Sequence, residues 1–169
     1  MTENLRLKAI ELEDVPFLHS LFNNPDVIDY WYNEPYQTEH ELEKYVKEEK
    51  TTSRLFLLTN DEEERIGLIG LFGIDRRHRH AEFGIAFDPN HQGKGYAGPA
   101  TRLALDYAFL KLNLHKVYLT VAEENERAAY VYEKVGFQKE GKWIQHYFIN
   151  GKYHDVWTMG ILRENYITE

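Results

Sequence analysis

Leu5, Leu7 and Ala9 alternate with Arg6 and Lys8, the two-residue period of a strand with one buried face. The spacing then changes to that of a helix. Asp14 stands where a helix cap belongs, ahead of an apolar face of Phe17, Leu18, Leu21 and Phe22, and Asn23-Asn24-Pro25 closes the run. Next comes Tyr30-Trp31-Tyr32-Asn33-Glu34-Pro35-Tyr36, too dense in large rings and turn formers for an ordinary connection. Thr38 and Glu41 have the spacing of a capping box, which predicts a charged helix running to about Glu49. Leu55 to Thr59 and Ile66 to Ile74 predict two strands joined by the polar turn Asn60 to Glu64.

A further strand, Ala81 to Phe87, follows the basic loop Arg76-Arg77-His78-Arg79-His80 and stops at Asp88-Pro89-Asn90. A glycine-rich turn leads into a long helix whose buried face is expected to include Leu103, Tyr107, Leu110 and Leu114 or their neighbours. Lys116 to Val121 alternates as a strand. Asn125 suits a helix cap, Ala128, Tyr132 and Val135 share one helical face, and Gly136 suits a left-handed stop. The last two strands flank Asn150-Gly151, the dipeptide favoured in a two-residue hairpin turn. Strand, two helices, three strands, helix, strand, helix and two strands imply an α/β (α+β) mixed sheet with helices packed on it. With no repeat or linker, residues 1–169 are expected to form one domain.

Composition narrows the functions. Hydrophobic residues make up 43%, with 12 Tyr and 9 Phe among them, enough for a single core. There is no cysteine, which excludes disulfides, thiolate metal ligands and a cysteine nucleophile. A net charge of −8 repels nucleic acid and suits a basic acceptor. Met1 to Ile10 lacks an apolar signal core, and no uncharged stretch approaches ~18 residues, so a cytoplasmic protein with neither membrane nor nucleic acid as partner is expected.

The stretch richest in chemistry is Gln92-Gly93-Lys94-Gly95-Tyr96-Ala97, after a strand and opening a helix. Glycines let main-chain amides come close to a ligand, and unpaired amides at a helix start favour phosphate oxygens. A glycine turn before a helix is as often only a tight connection. It is not a Walker loop, because Gly-Lys is not followed by Ser or Thr, nor a dinucleotide fingerprint, because it comes late and lacks the ribose-binding acid.

Together with Glu82-Phe83-Gly84-Ile85, Asn125 through Tyr132, and Gly136-Phe137, this turn resembles the GNAT superfamily of N-acetyltransferases over nearly the whole chain. The resemblance implies a GNAT-like, mostly antiparallel seven-stranded sheet with about four helices. It also implies acetyl-CoA as co-substrate, held by amides of Gln92, Gly93, Lys94, Gly95, Tyr96 and Ala97, with its pantetheine arm along Ile85 to Phe87 and Asn125 meeting the coenzyme. Tyr132 matches the usual general acid; its other reading is a core tyrosine. Acetyl transfer to an amine requires no metal, only a neutral amine, a polarised carbonyl and a proton for the departing thiolate. Glu82 is the candidate base, and otherwise a strand carboxylate paired with Arg77 or Arg79. His78 and His80 alternate like metal ligands, but their arginine neighbours favour a solvated turn. Arg76, Arg77 and Arg79 are candidates for the coenzyme 3′-phosphate, and His115 and His146 for packed or acceptor-lining residues.

Within the superfamily, the aromatic stretch at 30–36, Arg79-His80-Ala81-Glu82-Phe83, Leu112-Asn113-Leu114-His115-Lys116 and Phe148-Ile149-Asn150-Gly151 resemble bacterial spermidine N-acetyltransferases. That implies polyamine acetylation, a homo-oligomer, and acceptor contacts from Trp31, Glu34, Tyr36, Glu41 and Glu82. Asn33, Gln37, Gly70 and Gly73 are neutral where those enzymes commonly carry Glu, which weakens capture of a polycation. Other acceptors remain open: a ribosomal-type protein N-terminus or an aminoglycoside-like molecule. A sensor that binds CoA or polyamine without turnover is a third reading, disfavoured by Tyr132.

Overall fold

The computed structural model describes residues 4–31 and 34–167. Among them seven strands form one sheet: β1 (Arg6–Ala9), β2 (Arg54–Thr59), β3 (Arg65–Asp75), β4 (His80–Phe87), β5 (Lys116–Ala122), β6 (Gln138–Ile149) and β7 (Lys152–Leu162). The spatial order is β1-β2-β3-β4-β5-β7-β6, antiparallel throughout except where β4 meets β5. Six helices accompany it: α1 (Val15–Phe22), α2 (Pro25–Trp31), α3 (Glu39–Lys47), α4 (Ala97–Asp106), α5 (Glu126–Val135) and α6 (Arg163–Tyr166). This is the mostly antiparallel seven-stranded arrangement expected from the sequence, with two helices more than the four or so anticipated.

The additional α2 arises at the residues that end α1. Asn24 accepts a hydrogen bond from the Asp26 amide (2.9 Å), and Pro25 occupies a first-turn position where its missing N–H is no loss. One cluster of turn formers thus stops one helix and starts the next. Asp14 also departs from expectation. Its side chain does not cap α1; it accepts from the Glu11 amide (2.9 Å) and from Arg65 Nε (2.9 Å), tying the start of the helix to β3.

Alternation along the strands sends neighbours to opposite faces. Leu58, Leu71 and Phe83 join a cluster with α4 and α5, while Leu57, Leu68 and Ala86 join another with α1, α2 and α3. After α4 the chain widens into a π turn at Tyr107–Lys111, closed by Leu112 N–H to Tyr107 O at 3.1 Å. That shift buries Ala108 and Phe109 and leaves Leu110 58% exposed, so the expected face is taken by its neighbours. The β6–β7 turn has φ of +50° at Asn150 and +79° at Gly151, as that dipeptide predicts. Among the described residues no helix is long and apolar enough to cross a membrane.

Candidate active site

The parallel neighbours β4 and β5 pair only through His80, Ala81 and Glu82 with Lys116, Val117 and Tyr118. Beyond that point each strand stays paired with its antiparallel partner, and the two part. Two cavities open at the split, of about 460 and 450 Å³, and Ile85, Thr120 and Tyr132 line both.

The first cavity runs along Ile85 and Phe87 to the turn before α4. Asp88 fixes the entry to that turn by accepting from the Asn90 amide at 2.9 Å. Gly93 and Gly95 have φ of +73° and +82°, the left-handed region that favours glycine, and no atom lies within 4 Å of a Cβ built on Gly95. The amides of Ala97 and Gly98 precede the first amide of α4 that bonds within the helix, Ala100 N–H to Tyr96 O at 2.9 Å, and both residues line the same wall. Asn125 caps α5 by accepting from the Ala128 amide at 3.3 Å, which leaves its amide nitrogen for a ligand. The Arg127 guanidinium lies 3.7 Å from the position of a Cβ on Gly93. Amides at a helix start, a glycine cradle and a cation suit a diphosphate. Of the turn residues assigned to this role, Gln92, Gly93, Gly95, Tyr96 and Ala97 line the cavity, while Lys94 is exposed outside it. Arg76, Arg77 and Arg79 precede the opposite end of β4, eight residues or ~26 Å away, and are not near this turn.

The second cavity is walled chiefly by rings: Trp31 of α2, Tyr45 of α3, Phe72 of β3, and Tyr147 of β6. Phe72 meets Trp31 edge-on at 5.7 Å and lies over Gly70, where a Cβ would come within 2.2 Å of the ring. Any side chain at position 70 would therefore displace Phe72. Glu82 is the one carboxylate in this wall among the described residues. It accepts from Thr120 Oγ1 at 3.3 Å and not from Arg77 or Arg79. Burial raises its pKa above the usual carboxylate value, while the Thr120 hydroxyl and the nearby His146 oppose the rise.

Tyr132 sits between the cavities. Its half-buried ring meets Phe83 at 6.0 Å and Phe137 at 5.9 Å. Desolvation pushes the phenol up to about 12, so it keeps its proton throughout the neutral range.

Trp31 and Glu82 are thus brought together, whereas the other residues assigned to the acceptor are not. Glu34 and Tyr36 are exposed outside the wall. The Glu41 carboxylate accepts from Thr38 N (2.7 Å) and Oγ1 (2.9 Å), and those bonds hold its pKa below the usual range. Asn33 lies outside the described residues. His115 is exposed before β5, and His146 packs against Trp143 (4.5 Å) and Tyr147 (5.1 Å). Sequence reasoning missed Tyr45, Phe72, Thr120, Arg127 and Tyr147. Strand register was the available signal for two of them: Phe72 and Tyr118 are the β3 and β5 partners of Glu82, and Thr120 is two residues beyond Tyr118 on the same face.

The family model for an acetyltransferase (GNAT) domain matches residues 4–138. Spermidine N(1)-acetyltransferase of Vibrio cholerae serotype O1 is 43% identical over 169 residues, 99% of this chain and 98% of that protein. The crystal structure of spermidine N-acetyltransferase from Vibrio cholerae in complex with CoA and spermine aligns with a TM-score of 0.94 at 43% identity, covering 97% of this chain and 98% of that one. A dodecameric structure of the same Vibrio enzyme, in an intermediate state, aligns at 0.86 and 43% identity over 97% and 96%.

Proposed function

This chain belongs to the GNAT acetyltransferase family, and on that footing we propose that it transfers the acetyl group of acetyl-CoA to a primary amine of a small polyamine such as spermidine or spermine. One observation carries the reading. A protonated phenol, Tyr132, lines both a phosphate-suited cavity and an aromatic cavity whose wall holds a half-buried carboxylate, in a chain 43% identical to a spermidine N(1)-acetyltransferase over 99% of its length.

Acetyl-CoA supplies a thioester, and the residues do the rest. The amides of the 92–98 turn and Arg127 hold the diphosphate, and Ile85 and Phe87 flank the pantetheine arm. An alkylammonium near pKa ~10.4 must lose a proton before it can attack. Trp31, Phe72 and Tyr45 exclude water around it, which lowers the ammonium pKa, while the same burial raises that of Glu82. The gap between donor and acceptor narrows, and Glu82 takes the proton, directly or through one water. Attack joins nitrogen to the acetyl carbon, the carbon–sulfur bond breaks, Tyr132 gives its proton to sulfur, and the proton that nitrogen sheds in becoming an amide restores the phenol.

The proposal extends to a cytoplasmic homo-oligomer. The edge strand β6 has twelve residues and exposes Trp143, Ile144 and Phe148, with Tyr153 beside them on β7, an apolar face suited to another copy. Thiol release from acetyl-CoA, compared across spermine, spermidine, putrescine, N-terminal peptides and aminoglycosides, tests the acceptor. Turnover is expected with the polyamines; turnover with peptides alone would overturn the assignment, and so would acetyl-CoA binding without turnover on any amine.

A further inference from the structure

Glu82 does not stand by itself. Thr120 Oγ1 is within hydrogen-bond reach of both Glu82 Oε1, at 3.3 Å, and the Tyr147 hydroxyl, a shorter contact. An ionised carboxylate only accepts, and Thr120 has one proton. Thr120 therefore donates to Glu82, and Tyr147 donates to Thr120. At 3.3 Å the Thr120–Glu82 link is long, as catalytic contacts often are before a ligand tightens them.

The backbone of β6 is distorted where Tyr147 is delivered. Trp143 pairs with Val156 and Tyr147 with His154, so β6 advances four residues while β7 advances two. Within this bulge Gln145 has φ of +48°, a left-handed conformation for a residue other than glycine, and its amide donates to Asp155 Oδ1 at 2.7 Å. Such strain persists only where the surroundings hold it, and bulges re-aim side chains beside active sites. From Gln138 to His146 β6 is exposed; Tyr147 is the first of its side chains to turn inward.

We propose that Tyr147 and Thr120 form a hydroxyl relay that holds the Glu82 carboxylate in place to receive the acceptor's proton, which makes both of them positioning residues for the acetyl transfer. The relay rests on Glu82 being the base. The titratable groups facing Glu82 are Tyr118 on β5, His146 and Tyr147 on β6, Tyr132 on α5 and Tyr45 on α3, while Phe72 on β3 carries no charge. Among the described residues, Thr120 alone supplies a hydrogen bond to the carboxylate. Losing that donor disfavours the charged form, so less of Glu82 is ionised at a given pH.

The pH profile of kcat, taken at saturating spermidine and acetyl-CoA, separates this from a packing role. In Thr120→Val and Tyr147→Phe the acidic limb is expected to move up by about 0.5–1 pH unit, because the carboxylate loses a donor or the donor loses its orientation. Thr120→Ser, which restores the hydroxyl, is expected to return the limb to the wild-type position. KM for acetyl-CoA should hold within about twofold in all three. Unmoved limbs in Thr120→Val and Tyr147→Phe proteins with wild-type circular dichroism overturn the relay. Glu82→Gln distinguishes the two failures: loss of the limb there leaves Glu82 as base with only the relay refuted, whereas a limb that survives Glu82→Gln removes both.

Discussion

Replacing Tyr132 with Phe deletes one oxygen and keeps the ring, so it separates proton donation from packing. The contacts with Phe83 and Phe137 are made by the ring and persist, and folding free energy should change by less than about 1 kcal/mol. Chemistry should change far more. A free thiol titrates near ~8.5, and the phenol is held at about 12, so complete transfer to a departed thiolate would be uphill by about 3.5 units, or about 5 kcal/mol. Donation therefore helps only while the carbon–sulfur bond is breaking, and its contribution falls at the lower end for a general acid, ~10²-fold in kcat. Because that interaction is made in the reacting state and not in the ground state, CoA affinity should stay within about twofold. Thiol release at saturation measures the first quantity and calorimetry with CoA the second. A rate within about threefold of wild type would mean that sulfur obtains its proton elsewhere, and a tenfold loss of CoA affinity would make Tyr132 a binding residue instead.

Gly95→Val places a branched side chain at φ of +82° in the space beside the amides; CoA affinity should fall more than about tenfold by calorimetry while the fold survives, and normal affinity would refute the diphosphate role of the turn. Arg127→Ala should weaken CoA binding about three- to tenfold at low salt, with the difference shrinking as salt rises; a loss independent of salt would argue against a charge contact. Gly67→Ala would bring a Cβ within 2.2 Å of the Ala86 carbonyl oxygen and force β3 from β4; urea unfolding should show a loss above about 3 kcal/mol, and a small loss would mean that the strands separate there at little cost.

The donor side of the site was legible in the sequence because it depends on local rules. Glycines at 93 and 95 and a capping Asn125 carry their conformational meaning within a few residues, and the structure gives all three the backbone or hydrogen bond expected of them. The acceptor side was not, because it is assembled across elements. Phe72, Tyr45 and Tyr147 come from a strand, a helix and a bulged edge strand, and the spacing along any one segment does not place them around Glu82. Glu41 carried two readings, a capping box with Thr38 from its spacing and an acceptor contact from the resemblance, and its carboxylate is engaged at the helix end. Local rules misled at Asn23-Asn24-Pro25, where a stop signal was also a start.

The two hydrophobic clusters lie on opposite faces of the sheet, and their placement separates two kinds of change. Trp31 belongs to the cluster under α1, α2 and α3, and Tyr132 to the one under α4 and α5. Substitutions that reshape the aromatic wall from the α1–α3 side draw on the stability of their own cluster and leave the packing behind the phenol and the glycine turn intact. A lineage of this architecture can reshape its amine pocket largely from one side of the sheet, while Asp26, Val27 and Ala86 on that side couple such changes to the phosphate-suited cavity.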